Sequence, residues 1–203
     1  MTIVHEPLTL TVPEYLALER AADYKSEYSR GEMRPMTGAS RTHNLLVGNI
    51  YALLHSQLRK SNCEAYPSDM RVRVEATELL TYPDISVVCG EPHFDDSHKD
   101  TLLNPTVLIE VLSPSTAAYD RSEKFENYRQ LPSLQEYLLV AQDKLHVEQY
   151  SRQPDTTWRF SEYKRTGDHL FLTSIQCELT LDDIYEKVAL DQARRFNGQS
   201  HQE

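Results

Sequence analysis

Apolar residues fall into two rhythms along this 203-residue chain. Between residues 40 and 60, Leu46, Ile50, Leu53 and Leu54 recur at three- and four-residue spacing. That spacing predicts a helix, which Ser40 or Thr42 can cap. Two other runs, Asp84 to Cys89 and Thr106 to Leu112, are short and nearly continuous in large apolar residues. They predict central strands buried on both faces. Shorter stretches at Glu64 to Tyr66, Met70 to Glu75, Glu136 to Ala141, His146 to Tyr150 and Trp158 to Tyr163 predict further strands.

The punctuation between these runs is equally informative. Pro13 sits where a first helical turn tolerates it, so Glu14 to Ala22 reads as a short helix. Lys25 to Tyr28 and Glu32 to Met36 flank Ser29-Arg30-Gly31 and read as a hairpin. Ala118 to Leu131 reads as a second long helix closed by Pro132, and Thr180-Leu181-Asp182-Asp183 opens a short third one. The polar stretch from 195 to 203 reads as a frayed tail. No linker or repeat divides the chain, so the expectation is one α/β domain with a mixed central sheet flanked by helices.

Composition narrows the function classes. No run approaches the roughly 18 apolar residues of a membrane helix, and the first twenty residues lack the basic and apolar regions of a secretion signal. Three cysteines, Cys63, Cys89 and Cys177, stand in no metal-like spacing, so a reducing cytoplasm and free thiols are expected. The net charge of −10 argues against a protein that merely coats nucleic acid. Positive charge is nevertheless local: Arg20 to Arg73 holds nine Lys and Arg against five Asp and Glu.

Three residues break the folding pattern. Glu110 interrupts the apolar strand Val107-Leu108-Ile109-Glu110-Val111-Leu112, where an unpaired carboxylate would cost several kcal/mol. Asp84 follows Pro83 and opens the other central strand. Lys124 shares a helical stripe with Tyr128 and Leu131, which points its ammonium toward packed structure. Two strand carboxylates and a lysine suit metal-assisted phosphodiester hydrolysis: Mg²⁺ takes one or two carboxylates plus waters, and lysine offsets phosphate charge. Each also has a plain structural alternative: an exposed strand end or an arginine partner for Glu110, a turn for Asp84, and a snorkelling side chain for Lys124.

Pro83-Asp84, Glu110 within IEVLSPST, Asp120-Arg121 and Lys124 leading to Tyr128 together resemble the PD-(D/E)XK nuclease superfamily. The likeness is greatest to a bacterial branch of restriction-endonuclease-like proteins. It runs from about residue 12 to 186 and includes the SEYSRGEM hairpin and the histidine opening the long helix. The resemblance implies a restriction endonuclease-like core, Mg²⁺ or Mn²⁺ held by Asp84, Glu110 and the carbonyl of Val111, and a DNA substrate cut by a homodimer. It also implies accessory places for Glu27 and His43. One departure stands out: the superfamily's strand motif is Glu-x-Lys, whereas Leu112 occupies the lysine's position here, and Lys124 on the following helix would replace it. The displaced lysine and the acidic charge keep a second reading open, a catalytically silent nuclease fold that binds nucleic acid or a protein.

Other features carry less. His93 and His98 with Asp95 and Asp96 lack the ligand types usual in structural zinc. No P-loop, GxGxxG or GxSxG motif is present. Ser115 or Thr116 is expected to cap the helix that carries Lys124, and Arg34, Arg41, Arg59, Lys60, Arg71 and Arg73 are candidates for a basic DNA face.

Overall fold

A computed structural model describes residues 9–190, so the expected polar tail lies outside the described residues. The chain runs α1 (Val12–Ala21), β1 (Ser26–Ser29), β2 (Glu32–Pro35), α2 (Arg41–Leu58), β3 (Cys63–Pro67), β4 (Arg71–Val74), β5 (Leu79–Thr81), β6 (Ile85–Cys89), β7 (Thr101–Leu102) and β8 (Val107–Leu112). It continues through α3 (Ala117–Tyr119), a π-helical turn (Asp120–Lys124) and α4 (Phe125–Tyr128). The last elements are β9 (Glu136–Ala141), β10 (Val147–Arg152), β11 (Trp158–Tyr163), β12 (His169–Leu172), β13 (Cys177–Thr180) and α5 (Leu181–Ile184).

The central sheet has six strands in the order β11-β10-β9-β8-β6-β3, and β8 with β9 is its one parallel pair. A parallel pair needs a crossover, and the helical segment from Ala117 to Tyr128 supplies it. This is the α/β architecture with a mixed sheet that the strand and helix pattern predicts. Every residue of β8 is buried, because helices cover both faces. Val107, Ile109 and Val111 pack on the side of α2 with Leu46, Ile50, Leu54 and Leu58. Leu108 and Leu112 pack on the opposite side with Tyr128, Leu131 and Tyr137. The two-residue period of the strand therefore sends Glu110 toward the crossover helix, among aromatic side chains. Each buried leucine or isoleucine of α2 contributes roughly 2 kcal/mol.

A second sheet, β2-β1-β5-β4-β7, carries the hairpin. Arg30 and Gly31 both take positive φ, 48° and 93°, which gives the two-residue turn the twist that suits a hairpin. A Cβ at Gly31 would stand 3.0 Å from Thr9 Cβ, so backbone approach as well as φ requires glycine. β5, β7, β12 and β13, of two to four residues each, are not among the strands the pattern predicts. Among the described residues no helix is long and apolar enough to cross a membrane.

Three expectations are corrected. Cys63 and Cys89 form a disulfide, since the β3–β6 register sets them directly opposite each other; only Cys177 is free, and it is buried. The crossover is not one helix from 118 to 131 but α-helical turns around a π-turn, ending at Tyr128. Thr116 holds the N-cap position as expected, but its side chain makes no capping bond; instead the Ser113 Oγ accepts from the Thr116 N–H at 3.1 Å.

Arg71, 2% exposed, gives its charge to Asp100 at 2.9 Å, and Arg20 grips the same carboxylate through two bonds of 2.8 Å. Hydrogen bonds from Arg20, reinforced by the Arg71 charge, hold the Asp100 pKa well below the ordinary carboxylate value. A depressed carboxylate stabilises the fold above its unfolded pKa, and the gain disappears as pH falls through the folded one. Asp100→Ala is expected to cost about 3 kcal/mol in urea unfolding at pH 7, because it strands the Arg71 guanidinium. The gap from wild type should narrow below about pH 4; a gap independent of pH would count against the ion pair as its cause.

Candidate active site

The β6–β8 ladder opens at one end, and its register accounts for the site. Ile85 pairs with Ile109, so the next opposed positions are Asp84 with Glu110, and then Pro83 with Val111. Pro83 has no N–H to continue the ladder. The Val111 N–H instead donates to Asp84 Oδ2 at 2.7 Å, while the Asp84 N–H makes a long 3.4 Å contact with Glu110 Oε2. Two carboxylates thus face one another where the sheet splays. They line a cleft of about 760 Å³ with Glu27, His43, Asp120 and Lys124.

Lys124 is the hub. Its Nζ lies 2.9 Å from Glu110 Oε1, 3.3 Å from Glu27 Oε1 and 3.6 Å from Asp120 Oδ1, with the lysine side chain only 6% exposed. Glu110, at 4% exposure, is not a strand-end residue, and Lys124 does not snorkel to water. Both plain readings are overturned by the cover that the crossover helix lays over β8. Glu27 also accepts from the Thr81 hydroxyl, so it is tied into the cluster from the second sheet. His43, in the first turn of α2, places Nε2 3.1 Å from Asp84 Oδ2. Ser40 fixes that turn by accepting from the His43 N–H at 3.0 Å.

The π-turn explains how a helix can aim three side chains at one place. In a regular α-helix, positions four apart drift by about 40° per step, so residues 120, 124 and 128 would fan out. Hydrogen bonding from i to i+5 over Asp120–Lys124 widens the turn and rotates the following residues back. Asp120, Lys124 and Tyr128 are all buried toward the cluster in consequence. Tyr128 donates to Glu110 Oε1 at 2.8 Å, and Tyr137 donates to the Asp120 carbonyl at 3.1 Å. Asp120, Tyr128, Thr81 and Tyr137 were not singled out as site residues from sequence. Asp120 and Tyr128 stand within the segment that carries the family resemblance and recur at four-residue spacing with Lys124, which is the signal that could have found them.

Burial dominates the electrostatics. It drives the Glu110 pKa up from 4.5 to about 8; Lys124 opposes the rise, while the Asp84 and Asp120 charges add to it. Burial likewise raises Asp120. For Lys124, burial alone would lower the pKa, but the charges of Glu110, Glu27 and Asp120 outweigh it and hold the ammonium well above its ordinary value. The lysine is a committed cation.

The donor set suits a hard divalent ion in part. Asp84 Oδ1 has no hydrogen bond among the described residues, Glu110 Oε2 has only the 3.4 Å contact, and Val111 lines the same cleft. Two carboxylates and a backbone carbonyl, completed by water, meet Mg²⁺ chemistry. Among the described residues no group of three or more His, Cys, Asp or Glu is already placed to hold a metal ion. The imagined zinc group is otherwise employed: Asp95 pairs with Arg73, and Asp96 with Arg20. Arg71 and Arg73 are engaged by Asp100 and Asp95, while Lys25 and Arg34 line the cleft and pair there with Asp69 and Glu32.

A mixed sheet that opens on paired carboxylates, with a lysine delivered from the crossover, defines a restriction endonuclease-like protein. The chain belongs to the Uma2 family, described as "Putative restriction endonuclease", whose model matches residues 12–183. Two uncharacterised Synechocystis proteins are similar along most of their length. One, sll1609, is 40% identical over 162 residues, covering 80% of this chain and 92% of that protein. The other, slr1290, is 35% identical over 191 residues, covering 92% and 99%. A crystal structure from Anabaena variabilis, described as a putative nuclease belonging to DUF820, superposes with a TM-score of 0.74 at 18% identity, covering 89% of this chain and 99% of that one. That likeness shows the fold.

With a folded pKa above the unfolded one, Glu110 binds its proton more tightly in the native state, so stability falls as pH rises from about 4.5 to about 8. In EDTA, wild-type Tm should decline across this interval more steeply than that of Glu110→Gln. Parallel curves would show that Glu110 is not the titrating group. Lys124→Met should lower stability by about 3–5 kcal/mol at pH 8, since it leaves buried carboxylates without their cation.

Proposed function

We propose that this chain is a Mg²⁺- or Mn²⁺-dependent nuclease that hydrolyses phosphodiester bonds, acting on DNA as an endonuclease. The observation that carries the reading is the opposition of Asp84 and Glu110 at the open end of the β6–β8 ladder, with Lys124 Nζ 2.9 Å from Glu110. The description of the family, and that of the Anabaena protein as a nuclease, point the same way.

In this reading Asp84, Glu110 and the Val111 carbonyl hold the ion. When bound, it supplies a Lewis acid that offsets charge on the phosphate and acidifies the attacking water. The chain's own residues do the rest. The Val111 N–H and His43 both engage Asp84 Oδ2, which leaves Oδ1 as the oxygen of that carboxylate for the ion. Lys124 stays protonated, so it acts as a donor to a phosphate oxygen and balances charge that grows there; it is not the base. Lys25 and Arg34 line the cleft and would meet flanking phosphates by exchanging their exposed partners Asp69 and Glu32 for them, despite the acidic whole. Severing both strands of a duplex calls for two such centres, so a symmetric pair of chains belongs to the proposal.

Supercoiled plasmid and oligonucleotide duplexes incubated with EDTA, Mg²⁺ or Mn²⁺ test it. Wild type should cut only with metal, and Asp84→Ala, Glu110→Ala and Lys124→Ala, each shown to be folded, should lose at least about 100-fold in rate. Nucleic-acid binding without cutting under any metal would favour the silent nuclease fold instead.

A further inference from the structure

We infer that Tyr128 is a positioning residue which selects the oxygen that Glu110 offers to the cleft; the inference rests on the proposed metal-dependent reading. Glu110 has two oxygens with different surroundings. Oε1 accepts from the Tyr128 phenol at 2.8 Å and lies 2.9 Å from Lys124 Nζ, so its lone pairs are engaged from two directions. Oε2 has only the 3.4 Å contact with the Asp84 N–H and is the atom on the side of the other carboxylate. A carboxylate free to rotate would offer either oxygen; this one is held.

Lys124 cannot hold it alone. The ammonium divides itself among Glu110, Glu27 and Asp120, and a lysine head is a point charge on a flexible stem with no preferred fork. Tyr128 is fully buried, its ring is set edge-on against Tyr137 with centroids 5.4 Å apart, and its hydroxyl can reach only where the ring directs it. A phenol also donates without adding charge. It can therefore hold Oε1 without competing with a cation for Oε2. The same helix supplies both groups, Lys124 and Tyr128 being one turn apart, so the π-turn that aims the lysine aims the phenol too.

Mn²⁺ titration by calorimetry, on wild type, Tyr128→Phe and Tyr137→Phe, tests this. Tyr137→Phe is the control for a lost buried hydroxyl, because that phenol serves the Asp120 carbonyl and not Glu110. Mn²⁺ affinity should fall about tenfold or more in Tyr128→Phe and stay within about twofold of wild type in Tyr137→Phe. An unchanged affinity in Tyr128→Phe, or equal losses in both variants, would overturn the positioning role while leaving the metal site standing. Wild type that binds no Mn²⁺ would remove the metal-dependent reading itself, and this inference with it. Should Tyr128→Phe not fold, 3-fluorotyrosine placed at residue 128 keeps the phenol and reports by ¹⁹F NMR. Its resonance should move as Mg²⁺ is added, and a stationary resonance in a protein that binds the ion would refute the role.

Discussion

The Glu110–Lys124 ion pair is the constraint around which the rest is arranged. A carboxylate in the middle strand of a six-stranded sheet, covered on both faces, is untenable without a cation close by. The lysine that meets it comes from the crossover that the parallel β8–β9 pair requires, so topology and charge compensation are solved by one segment. The compensation is incomplete. Four carboxylates, Glu27, Asp84, Glu110 and Asp120, share the cleft, and burial raises Glu110 beyond what Lys124 offsets, with the Asp84 and Asp120 charges adding to the rise. A centre with surplus buried negative charge is poised to accept another cation or to keep a proton.

Local irregularities serve that centre. Pro83 ends the ladder and frees the Val111 N–H for Asp84. The π-turn realigns Asp120, Lys124 and Tyr128. Each departs from regular secondary structure at the point where side chains must converge, as is common for π-turns at functional sites. The second sheet takes part as well, since β1 and β5 bring Glu27 and Thr81 to the same cluster. The disulfide between Cys63 and Cys89 fastens the edge strand β3 to the far end of β6, away from Asp84.

Much was determined by the sequence itself. An apolar run interrupted by Glu110, a proline before Asp84 and a lysine on a helical stripe are legible because burying charge is costly and the exceptions show. The strand alternation also groups Glu110 with Leu108 and Leu112 on one face, and the structure sets that face away from α2. What only the tertiary structure decided depends on contacts between residues far apart in the chain. The register that opposes Asp84 with Glu110, and Cys63 with Cys89, is a property of strand pairing, which spacing along the chain does not encode. The fate of the arginines is likewise tertiary: Arg71 and Arg73 look like free surface charge in sequence, yet Asp100 and Asp95 claim them across more than twenty residues. The π-turn leaves no mark in an amino-acid pattern either, because it is selected by packing against Glu110 and Tyr137 rather than by the propensity of its own five residues.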